Sequence, residues 1–245
     1  MKRSDEICQS EAVSKTFLEG VRGAIPLAAE QIDVMLKIIQ TASPHVESFL
    51  DLGCGDGILG QAIFNKYPHA KEIFLDFSEQ MIQAAKSKLD KNQVEFIAQD
   101  FGKKEWVDSL QGKSPFDVIV SGSAIHYQPD IRKKEIYGEI YGLLKPGGIF
   151  LNMEQVSSNS QWVEKIYEDL FIDCLYSFHQ NNGSHSSRDE IAQGYYNRKD
   201  KEADILATVE TQCEWLRKLG FIHVDCFIKI FERALFGGIR PKLKK

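Results

Sequence analysis

Apolar and polar positions along this chain alternate between two rhythms. Short runs dominated by apolar residues occur at Glu47–Leu52 (ESFLDL), Glu72–Phe77 (EIFLDF), Val94–Ala98 (VEFIA), Phe116–Val120 (FDVIV) and from Ile149 to Met153. Runs of this length predict strands covered on both faces. Between them apolar residues recur at helical spacing, from Ile58 to Lys66, through SEQMIQAAKSKL, and over 130–144. Ser78 fits an N-cap, and Glu79 suits a first helical turn. The third stretch halts at Lys145-Pro146-Gly147-Gly148, a helix stop. The lysines and acids of 130–139 read as a solvated helix face. Strands alternating with helices of this size predict right-handed β-α-β units and a parallel sheet.

Both ends and one internal segment depart from this rhythm. Residues 1–46 are helical in pattern, with Pro26 suited to a first turn and Pro44 ending the run. Residues 155–205 are polar, carry NNGSHSSRDE and hold short helical stretches, which predicts an inserted helical lid. ATVETQCEWLRKLGF reads as the last helix, with Gly220 as its C-cap. Two final strands follow, Ile222–Phe231 and a short piece near Ala234–Phe236. The expectation is one α/β domain over 1–245, with 1–46 as an N-terminal cap and 155–205 as the lid.

Composition narrows the function classes. A net charge of -5 over 245 residues argues against a nucleic-acid binder, which usually presents a basic face. No apolar run approaches the ~18 residues of a membrane span, and MKRSDEICQS lacks the apolar core of a secretory signal. Cys8, Cys54, Cys174, Cys213 and Cys226 are odd in number and widely spaced, without a C-x-x-C. They read as reduced thiols of a cytoplasmic protein. The histidines are equally scattered, so no metal site is read. Trp215 and the FGG segment could serve a homodimer interface or the core.

The chemistry concentrates at Asp51-Leu52-Gly53-Cys54-Gly55-Asp56-Gly57, where a strand turns into a helix. Glycines there let the backbone turn tightly and approach a ligand, and the helix start offers free amides. Gly55-Asp56-Gly57-Ile58-Leu59-Gly60 also satisfies G-x-G-x-x-G, the dinucleotide pattern. Asp56 would repel a pyrophosphate. Asp51, Asp76 and Asp100 stand at three strand ends on the carboxyl edge of the sheet, where open α/β sheets bind ligands. Asp76 is placed for both hydroxyls of a ribose and Asp100 for an adenine amine. Three acids on one edge suit a cationic ligand that carries adenosine and no phosphate.

The chain resembles the class I S-adenosylmethionine (SAM)-dependent methyltransferases through FLDLGCGDG, FLDFSEQMI, FIAQDF, FDVIVSGSAIHY and LLKPGGIFL, in the family's order and spacing. The resemblance implies a Rossmann-like, mostly parallel seven-stranded sheet with a C-terminal antiparallel hairpin and helices on both faces. It implies SAM as cofactor and S-adenosylhomocysteine as product. Gly53 and Gly55 would pass close to the methionine part, with Asp51 and Cys54 in the same loop. Asp76 and Phe77 would hold the ribose, Met81 would pack on adenine, Asp100 and Phe101 would frame the base, and Ser121 would lie beneath the reacting centre. VRGAIP, SAIHY, EIAQGYYNRKD and CEWLRKLGFIHVDCFIKI resemble a small-molecule-type subgroup similar to the carboxy-SAM synthases of tRNA wobble-uridine modification.

The acceptor side is less legible. His126 lies close to where a methyl would leave and is read as a general base or a pocket-lining residue. Arg22, Tyr127, Glu154, Trp162 and Tyr195 are the substrate-binding candidates. Ser121-Gly122-Ser123-Ala124 stands where methyltransferases of base amino groups carry a D/N-P-P-Y/F tetrad, which lowers that option. The leading expectation is methyl transfer to a small molecule. A carboxy-SAM synthase-like or other SAM-using enzyme, an NAD(P)-dependent dehydrogenase and a non-catalytic SAM-binding module are the alternatives.

Overall fold

The computed structural model describes residues 21–89, 94–198 and 201–242. Strands β1 (Ser48–Leu52), β2 (Lys71–Asp76), β3 (Val94–Ala98), β4 (Phe116–Gly122), β5 (Leu144–Gln155), β6 (Ile222–Ile230) and β7 (Arg233–Ile239) build one sheet in the order β3-β2-β1-β4-β5-β7-β6. The first five are parallel. β7 enters antiparallel between β5 and β6. This is the expected Rossmann-like sheet with its C-terminal hairpin.

Side chains alternate between two cores, as a doubly covered sheet requires. Along β5, Phe150 joins one core, while Ile149 and Leu151 join the other. The first core is closed by α4 (Asp130–Leu143), α7 (Val209–Lys218) and the 3-10 turn Lys104–Leu110, which buries Trp106. The second is closed by α1 (Ala28–Ala42), α2 (Ile58–Lys66) and α3 (Glu79–Lys88). Ser78 caps α3 as expected, its hydroxyl accepting from the Met81 N–H at 3.4 Å. Thr208 does the same for α7, accepting from Thr211 at 3.2 Å.

Residues 155–205 hold α5 (Gln161–Asn181), α6 (Arg188–Tyr196) and the 3-10 turn Lys201–Ala203. Phe171, Ile172 and Leu175 of α5 pack with Tyr195 of α6 and with Ala24 of the 3-10 turn Val21–Ala24. This third, smaller core ties the N-terminal segment to the inserted layer. Among the described residues, no helix is long and apolar enough to cross a membrane. The four described cysteines are free thiols, and Cys8 lies outside the described residues.

Two expectations change. The 130–139 face is not solvated throughout, because Arg132 and Lys133 are buried. Arg132 donates to Glu139 (2.7 Å) and to the Phe101 carbonyl (2.8 Å). Lys133 pairs with Asp130 and reaches the Ile205 carbonyl. Long cationic side chains are stable there only because each charged head meets fixed acceptors. The Lys145–Gly148 stop does end α4, but β5 already begins at Leu144. The strand absorbs the turn residues as an irregularity between its pairings of Leu144 with Phe116 and Ile149 with Val118.

Ile119 of β4 is fully buried in the first core. Ile119→Ala is expected to cost about 3 kcal/mol through lost transfer energy and a residual cavity. Urea unfolding at constant m-value measures it.

Candidate active site

The turn after β1 is built by hydrogen bonds to its neighbours. The Leu75 carbonyl of β2 accepts from both Gly53 N–H (2.7 Å) and Cys54 N–H (3.0 Å). Gly53 and Gly55 adopt φ of +67° and +54°, a region costly for residues with a Cβ. Asp51 Oδ2 accepts from Gly60 N–H at 2.8 Å, which anchors the first turn of α2. Asp76 Oδ2 accepts from Gly55 N–H at 2.9 Å, and Oδ1 from Ser78 N–H at 2.8 Å. Burial raises the Asp76 carboxyl above its ordinary range, and the backbone donors oppose that shift. Asp56 is buried and pairs with Lys88 of α3.

This turn opens into a cavity of about 660 Å³ along the carboxyl edge of the sheet. Asp51, Gly53, Cys54 and Gly55 line it, as do Asp76, Phe77, Met81, Asp100 and Phe101. All the expected cofactor-side residues except Ser121 therefore meet in one space. Ser121 is fully buried and absent from the lining; its hydroxyl donates to the Leu52 carbonyl at 2.7 Å. Gly122, Ser123 and Ala124 line the cavity after it. Burial, with Asp51 and Asp76 beside it, pushes the Cys54 thiol well above its ordinary value, so the thiol is no nucleophile.

A family model described as "Methyltransferase domain" matches residues 45–206. The chain belongs to the class I SAM-dependent methyltransferase family. It is 33% identical over 142 residues to malonyl-(acyl-carrier protein) O-methyltransferase 2 of Ilyobacter polytropus, covering 57% of this chain and 52% of that protein. The chain thus matches about half the length of that relative. It is 26% identical over 230 residues to the carboxy-S-adenosyl-L-methionine synthase of Nautilia profundicola, covering 92% and 91% of the two chains. An O-methyltransferase family protein from Burkholderia thailandensis shares the fold, with a TM-score of 0.68 at 15% identity over 99% of this chain and 64% of that one.

The cofactor of this family is S-adenosylmethionine, which decides between the two readings of the glycine turn. The residues fit it. A Cβ on Gly55 would meet nothing within 4 Å, so the turn leaves space where a ligand passes. Each Asp76 oxygen accepts one backbone N–H and keeps a lone pair for a ribose hydroxyl. Asp100 is fixed by Gly102 N–H at 2.8 Å, beside the buried Phe101 ring.

His126, Tyr127 and Tyr195 also line the cavity. Tyr195 packs against Phe171, with ring centroids 5.8 Å apart. Glu154 and Trp162 do not join them. Trp162 is 73% exposed at the start of α5. Glu154 is fully buried, and the protein itself occupies it. Its Oε2 accepts from the N–H groups of Ile125 (3.0 Å) and His126 (3.1 Å), and its Oε1 from Gln155 N–H (3.0 Å). The Arg22 side chain lies outside the described residues.

His126 is held on both sides. Nδ1 is 2.5 Å from Glu154 Oε1, and Nε2 is 3.5 Å from Asp204 Oδ1. Asp204 also pairs with Arg198. Burial alone would lower the imidazole, but Glu154 and Asp204 outweigh it and raise it. Burial would likewise raise both carboxyls, yet His126 holds Glu154 and Asp204 below their ordinary range. A histidine with both ring nitrogens engaged by carboxylates is poorly placed as a general base. The geometry instead makes it a bridge between β5 and the segment after α6.

Asp204, Arg198, Glu232 and Arg233 also line the cavity and were not among the sequence candidates. Glu232-Arg233 could have been found as the charged pair that interrupts the apolar strands at the hairpin turn.

Asp76→Ala removes the ribose acceptor and is expected to weaken S-adenosylhomocysteine binding about 10- to 100-fold, from the loss of one or two hydrogen bonds to a charged group. Calorimetry measures this, with circular dichroism as the fold control.

His126→Gln should cost about 3 kcal/mol near pH 6, because two buried carboxylates lose their cation. The folded imidazole is raised, so its contribution is complete below the unfolded value of ~6.5 and fades as pH rises through the folded value. The deficit of the variant is therefore expected to shrink from pH 6 towards pH 9 in urea unfolding. An unchanged deficit would refute the charged pair.

Proposed function

We propose that this protein transfers the methyl group of S-adenosylmethionine to a small molecule seated beneath α5 and α6. The observation that carries this reading is the cavity. It runs from the glycine turn to Phe171, Leu175 and Tyr195 of the inserted layer. Its volume of about 660 Å³ lies in the range of small-molecule sites, ~300–1,000 Å³. A site roofed by helices suits a compact acceptor better than a nucleic acid strand. Reduced thiols fit a cytoplasmic setting.

Bound S-adenosylmethionine supplies a methyl already activated on a sulfonium. The protein then has to align and shield. Asp76 holds the ribose, Asp100 and Phe101 frame the base, and the open face of Gly55 lets the methionine part lie against the backbone. Fixing both partners in line lowers the entropic part of the barrier. The apolar side chains of α5 and α6 keep water from the reacting centre. Tyr127 and Tyr195 form part of the acceptor wall.

The full-length match to a carboxy-S-adenosyl-L-methionine synthase supports a second reading, in which the product stays on the cofactor. Calorimetric titration with S-adenosylmethionine, S-adenosylhomocysteine and NADH tests the cofactor. The first two are expected to bind and NADH is not. Mass spectrometry of the nucleoside retained by freshly purified protein separates the two readings. S-adenosylmethionine or S-adenosylhomocysteine supports methyl transfer, and a carboxylated sulfonium supports the second.

A further inference from the structure

The hairpin turn between β6 and β7 carries two buried charges that the protein leaves unsatisfied. β7 runs antiparallel beside β5 with Arg233 opposite Gln155, so the turn reaches the carboxyl edge of the sheet. Val156 N–H donates to the Glu232 carbonyl at 2.7 Å and fixes the turn there. Glu232 is 4% exposed and Arg233 is 6% exposed, and both line the cavity.

Arg233 has five N–H donors. Among the described residues it makes one hydrogen bond, from Nη1 to Ser123 Oγ at 2.9 Å, and no ion pair within 4.0 Å. Its Nε is buried without a partner. The guanidinium stands 6.0 Å from the centre of the Phe171 ring. Glu232 Oε1 is likewise buried without a partner, and its carboxylate makes no side-chain hydrogen bond among the described residues. Burial raises its pKa despite Arg233 and Arg198 nearby. Ser123, which receives Arg233, has a φ of +50°, unusual for a residue with a side chain. Leaving buried polar atoms of two charged groups without hydrogen-bond partners is costly for a fold. Structures tolerate that expense at sites where a ligand completes the pairing.

We infer that Arg233 and Glu232 form the acceptor-recognition site: Arg233 binds a carboxylate of the acceptor, and Glu232 takes a hydrogen bond from a hydroxyl or amino group of the same molecule. Phe171, Leu175, Ile191 and Tyr195 supply an apolar wall for its body. The acceptor is then a small carboxylic acid with an apolar body and a second, protic group. This deepens the methyl-transfer reading and rests on it.

The test uses the whole chain saturated with S-adenosylhomocysteine. That cofactor is titrated first, so a failure of the cofactor reading shows as no binding at this stage. Benzoate, 4-hydroxybenzoate, octanoate and 3-hydroxyoctanoate are then titrated, each against its primary amide. At least one hydroxy acid is expected to bind with Kd below about 1 mM, at least about tenfold tighter than its amide. Arg233→Gln should abolish the acid-over-amide preference. Glu232→Gln should reduce the advantage of the hydroxy acid over the plain acid, since a neutral amide oxygen accepts more weakly than a carboxylate. Both variants should keep the S-adenosylhomocysteine affinity. No acid binding at about 10 mM, equal binding of acid and amide, or an unchanged preference in Arg233→Gln would overturn the inference.

Discussion

The cofactor side of this molecule depends on two carboxylates at adjacent strand ends. Asp51 holds Gly60 and Asp76 holds Gly55, so both ends of the glycine turn are tied to the sheet. Without those bonds the N–H groups of Gly55 and Gly60 would lose their acceptors, and the turn would be held at the sheet only through Gly53 and Cys54 on the Leu75 carbonyl. The same Asp76 that shapes the turn lines the cavity, where the proposed function gives it the ribose. Shaping and binding are thus one interaction, and the remaining cofactor residues take their positions from it. Met81 follows on α3, whose N-cap Ser78 is itself bonded to Asp76 through its N–H.

A second constraint joins the sheet to its cover. Glu154 sits at the carboxyl end of β5 with both oxygens engaged. His126 links it to Asp204, and Asp204 links to Arg198 beyond α6. This chain of charges crosses from the sheet edge into the inserted layer. Lys133 of α4 adds a tie to Ile205. The layer is therefore not merely laid over the cleft by apolar contact. Its last segment is positioned by buried polar bonds with fixed geometry, which specify one arrangement more sharply than packing does.

How much of this was legible in the sequence follows the distance between interacting residues. The turn motif, the strand-end acids and the N-cap Ser78 are local features. A strand, a turn and a helix lie within about twenty residues, and periodicity with glycine placement exposes them. The residues from Asp51 to Phe101 accordingly meet in the cavity. Ser121 was placed correctly at a strand end, yet strand periodicity does not say which way the last side chain turns. Its hydroxyl bonds back to Leu52. Glu154 and Trp162 misled for opposite reasons. Glu154 is consumed by partners 28 and 29 positions away, and Trp162 lies on the outer side of a helix whose inner face could not be read before its packing was known. The buried Arg132 and Lys133 were hidden in the same way, since their acceptors Phe101 and Ile205 belong to other elements.

The acceptor half is composite where the cofactor half is local. His126 comes from the end of β4, Phe171 and Tyr195 from the inserted layer, and Glu232-Arg233 from the hairpin that closes the sheet. The inserted layer and the hairpin lie outside the repeating β-α-β units, whereas His126 stands on the loop between β4 and α4 inside one of them. That separation explains why one fold can host many acceptors. It also explains where the costly groups sit. Two buried charges in the cavity wall are tolerable because the two central cores, with Phe49, Phe74, Trp106 and Phe150 fully buried, secure the sheet independently of the site. A protein built this way keeps its stability in the part that binds the common cofactor and spends it in the part that chooses the acceptor.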